Sequence, residues 1–204
     1  MVAFDFIKAI LGRKYIPKRI DGKFVLKEEQ ENQEITILED DIDEVEVYKY
    51  ANKDGDIDFP FFNKGSDTPR FLNKFCDYIV VCTRDTKLFV VLVELKSANL
   101  FGEAKKQIDA GKIFVNYIFN TFDRLKIQPN NYEKYKDIDR IKLNANNIIK
   151  CIFISNKRTP TNIVKSTQPD VKIHFDSVGG YYRCELPLLS NFQLKMILPK
   201  KKKT

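Results

Sequence analysis

The chain has a single histidine, and its four cysteines, Cys76, Cys82, Cys151 and Cys184, include no CxxC pair. Zinc centres of common spacing are therefore excluded, because they draw on clustered Cys and His ligands, and the cysteines read as reduced structural thiols. No apolar run approaches the roughly 20 residues of a membrane span. The opening MVAFDFIKAILGRKYIPK also lacks the apolar stretch of a signal peptide. The expectation is a soluble, cytoplasmic protein with no membrane partner. Internal repeats are missing too, which sets aside solenoid and propeller architectures.

What is present suits one domain. The chain has 204 residues, 43% of them hydrophobic, enough to bury a sizeable core. We expect a single domain over residues 1–198, with its core at about 70–156, followed by a basic tail at 199–204. The net charge is +7, but Lys200, Lys201, Lys202 and Lys203 alone supply four positive charges, so the rest is only mildly basic. Such a balance fits nucleic acid without demanding it. Between Glu28 and Glu46 the chain is rich in acids, which reads as a solvated face or loop, or as a surface that orients nucleic acid by repulsion.

Hydrophobic periodicity organises the rest. Phe4–Leu11 has helical spacing. KFVL, EITIL and EVEVYKY alternate with period two, as short strands do. From Asn52 to Asn73 the Gly, Pro, Asp and Ser residues mark a long irregular connection; its KDGDIDF fails as a calcium loop, with Phe59 where glycine is needed and Gly65 where glutamate is needed. DYIVVCT and LFVVLVELK, joined by RDTK, form a hairpin. Ala104, Ile108, Gly111, Val115, Ile118 and Phe122 recur at helical steps, which predicts one long amphipathic helix with Asn99 as its cap. Ile148–Asn156 is a further buried strand, so strand, helix and strand imply a crossover to a parallel neighbour. A loop follows at Pro160–Pro169. VKIHF and YYRCELPLL flank a Gly179-Gly180 turn, and FQLKMIL precedes the tail.

The stretch FVVLVELKS is apolar until it reaches Glu94 and Lys96. If the hairpin is centred on Asp85 and Thr86, Asp77 faces Glu94. Opposed residues project to one side of a sheet with β-carbons about 5 Å apart, and Lys96 shares that side by alternation. Two carboxylates and an ammonium then converge where a buried charge costs several kcal/mol unless it is paired or ligates an ion. A hard divalent cation resolves the repulsion between the acids, and magnesium favours one or two carboxylates with water and phosphate oxygens. Lys96 is placed to hold or deprotonate water, or to stabilise charge on a phosphate.

Asp77, sixteen intervening residues, then Glu94-Leu95-Lys96 and a helix bearing Gln107 resemble the PD-(D/E)XK nuclease superfamily. The resemblance covers Lys74–Asn156, about two fifths of the chain. It implies an α/β, restriction-endonuclease-like mixed sheet: a helix, antiparallel strands, a crossover helix and a parallel strand, here with extra N- and C-terminal strands. It also implies that Asp77, Glu94 and the Leu95 carbonyl ligate Mg²⁺, with Mn²⁺ as a substitute, that Lys96 positions or activates water, and that Gln107 supports the site. Cys76 stands where the family motif has proline, and Asp5 is a candidate additional acid that cannot be aligned.

Each position has a plainer reading. Glu94 and Lys96 can be a strand-end salt bridge, Asp77 a strand-start cap and Gln107 an ordinary polar helix residue. His174 reads as a strand residue with no catalytic role, SVGGYY as a turn, and Lys200–Lys203 as a solvated tail or phosphate contact. The functional expectation is a Mg²⁺-dependent nuclease acting on nucleic acid, DNA ahead of RNA by resemblance, as an endonuclease of restriction or defence type. The alternatives are an RNA nuclease, a homodimeric or partner-dependent nuclease subunit, and a catalytically silent nucleic-acid-binding or assembly module of the same fold.

Overall fold

The computed structural model describes residues 19–28, 33–49, 75–97, 101–126, 147–155, 171–187 and 189–199. The expected helix at Phe4–Leu11 with Asp5, the connection Asn52–Asn73, the Asn99 cap, the loop Pro160–Pro169 and Lys200–Lys203 lie outside the described residues. The described part is mixed α/β and mostly strand, with two mixed sheets and one α-helix.

The first sheet has the order β1-β2-β3-β10, from β1 (Arg19–Ile20), β2 (Lys23–Glu28), β3 (Gln33–Leu38) and β10 (Leu189–Gln193). β10 runs parallel to β3 and antiparallel pairings join β1, β2 and β3. The second sheet has the order β4-β5-β6-β7-β9-β8. Its strands are β4 (Glu44–Lys49), β5 (Tyr78–Arg84), β6 (Lys87–Ser97), β7 (Ile148–Ser155), β8 (Lys172–Asp176) and β9 (Tyr181–Leu186). β5 is antiparallel to both β4 and β6, β6, β7 and β9 are parallel, and β8 closes the edge antiparallel to β9. The helix α1 (Phe101–Lys126) is the connection from β6 toward β7.

Alternation along the strands assigns each side chain to one of two cores. Val45, Val47, Tyr78, Val80, Val91, Val93, Leu95 and Phe153 meet Phe24, Leu26, Ile35, Ile37 and Phe192 between the two sheets. On the other face Ile79, Val81, Val90, Leu92, Ile152 and Ile154 pack with Ala104, Ile108, Val115 and Ile118 of α1. β6 is thus buried on both faces, which is why its sequence shows a nearly continuous apolar run. The acid-rich segment Glu28–Glu46 carries β3 and the start of β4. Gln33, Ile35, Ile37 and Val45 within it are buried, so it is only in part a solvated face.

All four cysteines are free and buried. Cys151 and Cys184 bring their sulfurs within 3.6 Å on neighbouring strands. No helix among the described residues is long and apolar enough to cross a membrane.

One contact between helix and sheet sits directly beside the charged end of the hairpin. A β-carbon added at Gly111 would lie 2.6 Å from the Cys76 sulfur, and Cys76 is itself buried. The Cys76 thiol fills the space a larger residue at 111 would take. Gly111→Ala should lose about 1–3 kcal/mol through overpacking, although alanine in a helix normally gains up to about 1 kcal/mol over glycine. In a Cys76→Ala background the same substitution should be neutral or stabilising. Denaturant melts of the two single variants and the double variant measure this, and a Gly111→Ala chain more stable than wild type by itself would refute the close approach.

Candidate active site

The hairpin turn sets the site. Asp85 and Thr86 both have positive φ, 50° and 61°, the two-residue geometry whose twist matches a tight hairpin. The resulting register pairs Tyr78 with Val93 and Arg84 with Lys87, so the next step outward opposes Asp77 to Glu94, as the centring on Asp85 and Thr86 requires. Asp77 itself stands at a bend one residue before β5. Tyr78 is anchored firmly: its hydroxyl accepts from the Lys27 backbone N–H at 2.8 Å and donates to the Lys27 carbonyl at 3.0 Å, tying this end of the hairpin to the smaller sheet.

The two acids are cross-linked through backbone. The Asp77 N–H donates to Glu94 Oε2 at 3.0 Å, and the Leu95 N–H donates to Asp77 Oδ2 at 2.8 Å. Lys96 Nζ lies 2.9 Å from Glu94 Oε1. That oxygen is buried and has no partner in good hydrogen-bond geometry, so the ion pair is its only polar compensation among the described residues. Glu94 is 0% exposed and the Lys96 side chain 20%, so the group opens to solvent on the lysine side. Gln107 of α1 is buried and donates from Nε2 to the Phe75 carbonyl at 3.4 Å, two residues before Asp77.

The electrostatics follow from burial. Removal from water, then the neighbouring Asp77 carboxylate, push Glu94 up from 4.5 to about 8, against the opposing pull of Lys96. Burial first, then Glu94 and Asp77, push the Cys76 thiol well above its ordinary value, so it is no nucleophile near neutral pH.

The donor set suits a hard cation. It offers carboxylate oxygens, one of them buried without a hydrogen bond, and a carbonyl. In an extended strand one residue's N–H and C=O point to the same edge. Since the Leu95 N–H reaches Asp77, its carbonyl faces the same side, beyond the last ladder pair. Among the described residues no group of three or more His, Cys, Asp and Glu side chains is gathered, so two carboxylates are what this end of the hairpin offers.

The structure therefore brings Asp77, Glu94 and Lys96 together and sets Gln107 beside them, while Lys200–Lys203 fall outside the described residues. Two features were not legible in the sequence: the Tyr78 anchor on β2, for which it carries no signal, and the presence of β8 and β9 on the same sheet as the acids. The sequence pointed to strands on either side of the Gly179-Gly180 turn but not to their neighbours. Compared with known proteins, the chain matches no family model, no curated protein and no solved structure.

Proposed function

We propose that the chain is a Mg²⁺-dependent nuclease of PD-(D/E)XK type that hydrolyses phosphodiester bonds, with DNA as its substrate in a restriction or defence role. The observation that carries this is the fully buried Glu94 opposed to Asp77, with Lys96 at 2.9 Å on the same side. A purely structural strand end gains little from two acids held together, because their repulsion works against burial. The order of three antiparallel strands β4, β5 and β6, the helix α1 and the parallel strand β7 supports the restriction-endonuclease-like reading of the fold.

In this reading Asp77, Glu94 and the Leu95 carbonyl would hold Mg²⁺. When bound, the ion supplies positive charge to the phosphate and makes its water more acidic. Lys96 orients the attacking water and donates to the phosphate as charge develops. Gln107 acts through the Phe75 carbonyl, fixing the backbone that leads into Asp77. Glu94 must be ionised to serve as a ligand, so metal binding competes with its proton.

Incubating the full chain with plasmid, single-stranded DNA and RNA, each with Mg²⁺ or EDTA, tests the proposal. Cleavage of DNA is expected with Mg²⁺ only, and none with Asp77→Asn. Cleavage confined to RNA transfers the substrate assignment to RNA. Absence of cleavage from all three, with Asp77→Asn behaving as wild type in every respect, would sink the catalytic reading and leave a strand-end ion pair.

A further inference from the structure

Polar residues continue along the same end of the sheet beyond the carboxylates. The ladder pairs Glu94 with Ile152, Ile152 with Arg183 and Arg183 with His174. One step toward the strand ends it pairs Lys96 with Ile154, Ile154 with Glu185 and Glu185 with Lys172. Paired residues project to one side, so Lys172, His174, Arg183 and Glu185 share the face of Glu94 and Lys96. With strands about 4.8 Å apart, the backbones of Arg183 and His174 lie roughly 10 and 14 Å from that of Glu94. The carboxyl ends of β6, β7 and β9 coincide here, the edge at which open α/β sheets bind ligands.

The charges along β8, β9 and the facing part of α1 are unevenly matched. Asp176 is held by Lys105 at 3.2 Å, Asp109 by Lys150 at 2.8 Å and Glu185 by Arg183 at 3.0 Å. Each of these three acids has a cation, whereas Lys172 and His174 are exposed and, among the described residues, have no hydrogen-bond or ion-pair partner. The Arg183–Glu185 pair has 40% and 23% of its side chains exposed. Ion pairs in such settings contribute under about 1 kcal/mol, so a phosphate can compete for the guanidinium.

We propose that β8 and β9 hold the phosphodiester backbone of the substrate through Lys172, His174 and Arg183; this rests on the nuclease reading above. Lysine supplies a point charge, arginine a planar fork that matches phosphate, and the imidazole an N–H donor. Ile152 and Ile154 between the two groups are buried with Ala104 and Ile108, so the bound strand passes in front of the first turns of α1 to reach both. Such contacts set affinity and register on the nucleic acid without reading its sequence.

The test is binding of a labelled DNA duplex in EDTA across a salt series, with the full chain, Lys172→Gln/His174→Gln and the charge reversal Lys172→Glu. Both positions are exposed, so the glutamine variant should melt as wild type, while Lys172→Glu, opposite Glu185, should lose at most about 1 kcal/mol. The variants should bind all sequences more weakly, and log K against log salt should become shallower by about 0.9 for the lost lysine–phosphate contact. Lys87→Gln, at the far end of β6, should behave as wild type. Unaltered slopes in both variants overturn the proposal, as does a wild-type chain that does not bind DNA. Lowered slopes in a chain that never cleaves would remove the nuclease reading and keep the phosphate site. Cleavage by the wild type with unaltered slopes would do the reverse.

Discussion

In EDTA at pH 9, Glu94→Gln should melt well above the unaltered chain. Glu94 has a folded value near 8 against 4.5 for an unconstrained carboxyl, so the folded state holds its proton more tightly than the unfolded state does. The stability associated with that proton is complete below about pH 4.5 and is lost as pH rises through about 8. Ionising the buried group in the folded protein costs on the order of 5 kcal/mol as an upper bound. Glutamine keeps the shape and still accepts from the Asp77 N–H, but carries no charge to bury. Each kcal/mol moves the melting temperature of a chain this size by about 2–4 °C, so a difference of several degrees is expected at pH 9 and little at pH 5. Mg²⁺ should reverse the order, raising the wild type by binding its folded state and leaving the variant nearly unmoved. If the variant instead melts lower than wild type at pH 9 without metal, Glu94 and Lys96 form a net stabilising pair, and the idea of a strained metal-free site fails.

Lys96→Met should cut DNA turnover on the order of 10²- to 10⁴-fold, the usual range for a positioned proton-transfer group. Lysine donates and cannot ligate a metal, so the rise in melting temperature on adding Mg²⁺ should persist, displaced to higher pH because metal binding competes with the Glu94 proton. The ammonium lies 2.9 Å from Glu94 Oε1, and it is one of the influences that hold the Glu94 carboxyl down. Its removal should drive that carboxyl still higher, so it stays protonated to a higher pH and the metal-free fold tolerates the loss. Single-turnover cleavage separates this effect from binding. Turnover equal to wild type would reduce Lys96 to a counter-ion for Glu94.

The hairpin could be read to the residue because its information is local. Two central residues fix a two-residue turn, the turn fixes the register, and period two then places Asp77, Glu94 and Lys96 on one side. The long helix and the strand after it were legible for the same reason, since Ala104, Ile108, Val115 and Ile118 recur at helical spacing whatever they pack against. Other features depended on partners distant in sequence. The parallel pairing of β10 with β3 joins residues about 150 positions apart, and no periodicity encodes which strand a neighbour will be. The hydroxyl of Tyr78 finds the backbone of Lys27 only because two sheets stack, and Gly111 is necessary only because Cys76 lies against it. The sequence by itself determined which residues would be apolar, alternate or charged, and so the carboxylate pair. Tertiary structure alone decided that Glu94 would be fully buried, and that Lys172 and His174 would share its face. Burial and strand order are properties of the whole packed sheet, and it is burial, not residue type, that moves a carboxyl from 4.5 to about 8.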